Sequence, residues 1–137
     1  MRWIGLYLLF MSLAPPVWAE AAKFPMDEWF DVENLNGKDV RGKHLTLFVH
    51  DGSGGFSASA SGGTGCHAWG SAYQLEAPDR FKLVDGIGVT TEACPNAMAM
   101  QLEGEYLAAL AKVTHWRMDG STLLLSGDQP ILRLVKQ

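Results

Sequence analysis

MAMQLEGEYLAALAKV, residues 98–113, is the stretch on which the fold turns. Its apolar side chains recur at Met98, Leu102, Tyr106, Ala109, Leu110 and Val113. That spacing places them on one stripe of an α-helix. Glu103 and Glu105 fall on other faces of the same helix. Pro95 suits a first helical turn, where its missing N–H costs little. A helix is therefore predicted over about Pro95–Lys112.

On both sides of this segment the period is that of strands. Upstream, Trp29 to Leu35 reads as a strand closed by the turn pair Asn36-Gly37. In His44 to His50, Leu45, Leu47 and Val49 share one face by period-two alternation. Asp51-Gly52 is a second turn pair. Phe56, Ala58 and Ala60 alternate with serines, which suggests a third strand, followed by a glycine bend over residues 62–65. That bend lacks the Lys-Ser/Thr ending of a phosphate loop. Gly70 to Leu75 and Phe81 to Val84 read as a hairpin around Pro78-Asp79. Downstream, Thr114 to Met118, Thr122 to Leu125 and Ile131 to Val135 form a meander with turns at Asp119-Gly120 and Gly127-Asp128. Strands, one helix, then strands indicate an α+β fold, an antiparallel sheet with a single packed helix.

The N-terminus reads as a secretory signal peptide. Arg2 precedes an apolar run from Trp3 to Val17, broken by Pro15 and Pro16, and Val17-Trp18-Ala19 supplies a cleavage site. Residues 1–19 are expected to be removed, with a cut as late as residue 22 also compatible, leaving one domain over 23–137. The prolines cut the run short of an ordinary membrane span. No cysteine follows it to accept a lipid anchor, so a periplasmic or secreted, soluble and monomeric protein is expected.

The 137-residue chain carries 11 basic and 15 acidic residues. Losing Arg2 with the signal peptide makes the net charge more negative still. This excludes nucleic acid, whose capture relies on basic charge, and electrostatic capture by anionic bilayers. Hydrophobic residues at 47% and charged residues at 19% fit a globular core rather than a disordered chain. Cys66 and Cys94 are an even pair in an exported chain, which reads first as a disulfide. Two buried thiols, or a redox or catalytic cysteine, are the alternatives. A disulfide loop of 28 residues contributes about 3.6 kcal/mol in the chain-entropy model.

Two separated motifs resemble the META domain family, in its HslJ-like form. Gly65-Cys66-His67, followed by Trp69, Gly70 and Tyr73, is similar to the family's glycine–cysteine–asparagine motif. Thr90 and Ala93-Cys94-Pro95, followed by Met98, Met100, Glu103, Tyr106, Leu107 and Leu110, resembles its second motif and the helix after it. The resemblance runs from about Trp29 to Leu134. His67 stands where the family has Asn, so no role needing that amide is carried over. The resemblance implies a strongly curved antiparallel sheet, a partial barrel of about seven or eight strands, wrapping one helix. It is an architecture similar to that of a lipid-binding secretin pilot protein. It also implies a link to heat stress and novobiocin resistance, and neither an established enzymatic activity nor a cofactor.

The candidate chemistry is sparse. Cys66-His67 invites a thiol-nucleophile reading, but neighbours on an extended chain point to opposite faces, and a disulfide would remove the thiolate. His44, His50, Asp51, His67 and His115 are metal ligands by type but lack a ligand spacing. His44 and His50 would lie about 20 Å apart on a strand. Glu103 has no partner acid identifiable from sequence for a paired-carboxylate mechanism; it reads as a helix-surface carboxylate or as one that hydrogen-bonds backbone at a loop, and its place in the motif favours the second. Trp69, Tyr73, Met98, Leu102 and Tyr106 would line an apolar cleft if helix and sheet do not close fully, and would otherwise be core. The expected function is non-enzymatic: binding of an apolar small molecule or lipid, or of an envelope protein. A structural accessory protein without a ligand is the alternative, and a thiol enzyme using Cys66 or Cys94 a third reading.

Overall fold

The computed structural model describes residues 23–53 and 57–137. The signal peptide expected over 1–19 and Phe56 of the third predicted strand lie outside them. The described chain forms β1 (Trp29–Leu35), β2 (Lys38–Asp39), β3 (Thr46–His50), β4 (Ser59–Gly63), β5 (Ala68–Glu76), β6 (Arg80–Val89), α1 (Ala97–Lys112), β7 (His115–Asp119), β8 (Thr122–Ser126) and β9 (Pro130–Lys136).

Nine antiparallel strands make one sheet in the order β2-β1-β3-β4-β5-β6-β7-β8-β9, and β1 also pairs with β9. The sheet thus curls back on itself, but unevenly. The β1–β9 seam carries five registered pairs from Phe30↔Lys136 to Leu35↔Leu132. The β6–β7 seam carries one, Arg80↔His115. The helix lies between β6 and β7 in sequence, and its buried residues Tyr106, Ala109 and Leu110 join the core. One hydrophobic cluster joins all layers.

Local chemistry explains the elements. Asn36 and Gly37 take φ of 50° and 86°, the left-handed pair that a tight hairpin needs. Leu45, Leu47 and Val49 are each 1% exposed, as alternation predicts. Regular β3 nevertheless begins at Thr46, because His44 turns to a φ of 63°. The helix starts later than Pro95. Asn96 is its N-cap, and its side chain accepts a hydrogen bond of 2.8 Å from the Ala99 N–H, a cap that stabilises by about 1 kcal/mol. The inner stripe is Tyr106, Ala109 and Leu110, followed by buried Val113. Met98 belongs to the predicted stripe but stands 78% exposed.

The glycine bend is also placed differently. Gly62 and Gly63 are strand residues of β4, and only Gly65 has the turn's positive φ, 80°. Gly62 is needed for contact. A Cβ there would lie 1.9 Å from the Thr46 carbonyl oxygen, so the third and fourth strands can approach only across a residue without a side chain.

Candidate functional site

The turn between β4 and β5 and the first half of α1 meet at a polar cluster. Thr64, 1% exposed, is the one buried polar residue among those described. Its hydroxyl donates to Glu103 Oε2 at 2.5 Å and accepts from the backbone N–H groups of His67 and Cys66 at 2.7 and 3.2 Å. The Thr64 N–H donates to the His67 carbonyl at 2.8 Å. These bonds fold residues 64–67 into a tight turn whose side chains aim at the helix.

His67 Nδ1 lies 2.6 Å from Glu103 Oε2. Its Nε2 meets the backbone carbonyl of Glu92. Both ring nitrogens therefore face acceptors, and the imidazole is held above its ordinary pKa, first by the Glu92 carbonyl and then by the Glu103 carboxylate. The pair is well shielded, each side chain 13% exposed. Glu103 thus faces inward, a correction to its expected place off the buried face: it precedes Tyr106 by one helical step.

Cys66 and Cys94 are joined by a disulfide, with Cα atoms 5.0 Å apart, inside the range such a bond requires. No free cysteine occurs among the described residues. The sulfurs flank the His67–Glu103 pair, and Cys94 Sγ lies 3.9 Å from His67 Nδ1. One donor atom each from Cys66, His67, Cys94 and Glu103 falls within 4.8 Å of the others. The candidate ligands His50 and Asp51 also come together, with Asp27 rather than with the other histidines. His50 Nδ1 already bonds Asp27 Oδ1 at 2.6 Å. His115 instead meets the Thr114 hydroxyl, at 2.8 Å.

A cleft of about 710 Å³ opens beside this cluster, between the first turns of α1 and the segment carrying β2. Val40, Ala97, Met98 and Leu102 supply apolar wall, and Lys38, Asp39, Lys43 and Glu105 supply charge. Lys38 bonds Glu105 at 2.5 Å. The Arg41 guanidinium holds Asp39 and keeps its carboxyl at a pKa of about 2. Among the described residues Lys43 has no ion pair.

The five residues proposed for a cleft divide. Met98 and Leu102 line it. Trp69 and Tyr106 are core, 3% and 0% exposed, and stack edge to face. Both donate to the Thr46 carbonyl, from Trp69 Nε1 at 3.3 Å and Tyr106 Oη at 2.7 Å. Burial pushes the Tyr106 phenol up, so it stays a donor. Tyr73 packs on Phe81 and donates to the His50 carbonyl at 2.8 Å, away from the cleft. Of the motif residues, Thr90 bonds Glu92 and the Ala68 N–H. Gly65 approaches the Lys43 carbonyl and Gly70 lies in β5. Ala93 and Pro95 lead from Glu92 through the bridged Cys94 to the helix cap.

A curled antiparallel sheet, one helix and a disulfide binding the helix lead to the β4–β5 turn define a small disulfide-stapled α+β domain. The META domain family matches residues 23–137, and the chain belongs to it. Two solved structures share the fold. The NMR structure of a protein from Burkholderia xenovorans is 23% identical over 82% of this chain and 83% of that one, with a TM-score of 0.60. A second NMR structure is 17% identical over 80% and 89%, with a TM-score of 0.58. No curated protein matches the sequence.

Proposed function

We propose that this META domain is a non-enzymatic protein of an oxidising envelope compartment. Its cleft beside α1 holds an amphiphilic small molecule or single lipid with an apolar body and an anionic head. The observation that carries this reading is the cleft itself, lined by apolar Val40, Met98 and Leu102 and by Lys43, which has no ion pair among the described residues. A pocket of this size with a few convergent polar groups is what a small ligand needs. Met98, a wall residue 78% exposed, adds flexible apolar surface at its mouth.

The disulfide suits an oxidising compartment. No helix among the described residues is long and apolar enough to cross a membrane. With both sulfurs bonded to each other, neither is available as a nucleophile, which supports a binding role over a thiol enzyme. A part in heat or drug stress follows from the family resemblance.

Binding of a fluorescent fatty acid to the mature protein tests the proposal, with native mass spectrometry to count bound molecules. One molecule per chain is expected. Leu102→Asp should weaken binding by about tenfold or more, since it places a charge against the apolar body. Lys43→Glu should weaken the fatty acid more than a neutral alcohol of equal length. A protein that ignores both probes, or binding untouched by Leu102→Asp, would overturn the reading.

A further inference from the structure

The polar cluster under the cleft holds two sulfurs, an imidazole and a carboxylate in one small volume. In the disulfide-bonded protein it acts as a staple between the β4–β5 turn and the helix lead. Its donor set suggests another state. One donor atom each from Cys66, His67, Cys94 and Glu103 falls within 4.8 Å of the other three. All four residues are partly buried. Bonds of about 2.0–2.3 Å set neighbouring donors of a tetrahedral zinc site roughly 3.3–3.8 Å apart, so the bridged sulfurs and the 2.6 Å His67–Glu103 pair would open around the ion and the wider pairs close on it. Two cysteine sulfurs, one histidine nitrogen and one carboxylate oxygen are all ordinary zinc donors.

The surroundings are those of a metal site as well. A ligating histidine usually gives its second ring nitrogen to a carbonyl or carboxylate, which fixes the ring. Here Nε2 of His67 meets the Glu92 carbonyl, which leaves Nδ1 turned to the sulfurs and to Glu103. A ligating carboxylate is itself usually hydrogen-bonded, and Glu103 accepts from the buried Thr64 hydroxyl. Cys66 and His67 lie in the hydrogen-bonded β4–β5 turn, Glu103 lies in the capped helix, and Cys94 lies in the lead two residues before the Asn96 cap.

We infer that the reduced protein binds one zinc-class divalent cation through Cys66, His67, Cys94 and Glu103, so that the disulfide and the metal are alternative closures of the same seam. The reductant is a thiol or dithiol. A thiolate attacks one sulfur of the bridge, the Cys66–Cys94 bond breaks, and the reductant leaves as its own disulfide. Its two electrons stay with Cys66 and Cys94, which become thiols. The cation then takes both sulfurs as thiolates, together with His67 Nδ1 and Glu103 Oε2. Two thiol protons and the proton on Nδ1 are released to solvent.

Cobalt(II) reports such a site directly. The full mature chain is reduced with a phosphine, its fold checked by circular dichroism, and Co2+ added without oxygen. The expected result is one ion per chain, a thiolate-to-cobalt charge-transfer band, intense visible bands of a tetrahedral ion, and loss of all three on adding Zn2+. The disulfide-bonded protein should give none of them. Cys94→Ser should lose the charge-transfer intensity of one sulfur, and His67→Asn or Glu103→Gln should weaken affinity by about tenfold or more. A folded, reduced chain without the bands overturns the inference. So does a reduced chain that is unfolded and stays so with metal, one ion shared by two chains, or bands indifferent to His67→Asn and Glu103→Gln.

Discussion

His67 and Glu103 are 36 residues apart in sequence, yet Nδ1 of one lies 2.6 Å from Oε2 of the other. The contact ties the β4–β5 turn to α1 at the point where the disulfide ties it to the helix lead. Thr64 completes the arrangement, because its hydroxyl serves the carboxylate and two backbone N–H groups at once.

Thr64→Val keeps the shape of this residue and removes its hydroxyl. The two N–H groups and the carboxylate then lose a buried partner, at a cost of about 1–3 kcal/mol. Urea denaturation of the disulfide-bonded protein should show that loss. Thr64→Ser, which keeps the hydroxyl, should lose less. Equal losses for valine and serine would assign the effect to packing of the methyl group instead.

The bridge gives a second prediction. Cys66→Ser and Cys94→Ser should each lower stability by about 3–4 kcal/mol, the loop-closure value for a separation of 28 residues. The double variant should cost about the same as either single one. Clearly additive losses in chemical denaturation would mean that each sulfur acts through its own packing.

Much of the architecture could be read before any coordinates. Leu45, Leu47 and Val49 announced a half-buried strand, Asn36-Gly37 a hairpin, and the helical stripe through Tyr106 and Leu110 a packed helix. These are local signals, set by backbone geometry a few residues long. The closure of β1 on β9 was not legible, since it depends on how far the whole sheet curls. Nor was β2, two residues long. The Glu103 contact was legible only in part: the motif pointed to a hydrogen bond with loop backbone, whereas the partners are the Thr64 and His67 side chains. Glu103, Tyr106, Leu110 and Val113 follow one another by three or four residues, and a carboxylate on a buried stripe must have a partner. Which residue answered it was not in the spacing, because the turn at 64–67 reaches the helix only through the fold. For the same reason Trp69 and Tyr106 could not be separated from Met98 and Leu102 as core and cleft.

Two glycines make a paired prediction of opposite sign. Gly62→Ala would place its methyl 1.9 Å from the Thr46 carbonyl oxygen. Backbone must move, and β3 and β4 separate at a point where Trp69 and Tyr106 both bond that carbonyl. A loss of at least about 2 kcal/mol is expected, on the scale of overpacked cores. Gly104 lies within α1, and a Cβ there meets nothing within 4 Å. Gly104→Ala should therefore raise stability by about 0.5–1 kcal/mol through helix propensity and unfolded-state entropy. Thermal melts of both variants decide the matter; a gain at 62 or a loss at 104 contradicts the packing described.

The pair of His50 and Asp27 makes stability depend on pH in a defined direction. The Asp27 carboxylate bonds His50 Nδ1 and raises the pKa of the imidazole, with a smaller contribution from the charge of Asp51. The folded state therefore binds the His50 proton more tightly than the unfolded state does. Its stabilisation is fully present below the unfolded histidine value, about 6.5, and is lost as pH rises through the higher folded value. Asp27→Asn removes the anion. The stability gap between the native protein and this variant should be wider at pH 5.5 than at pH 8.5, by thermal denaturation in the same buffer series. NMR titration of the His50 ring should show its pKa falling toward the ordinary value in the variant. A gap that widens with increasing pH would mean that Asp27 stabilises the fold through something other than its bond to the protonated ring.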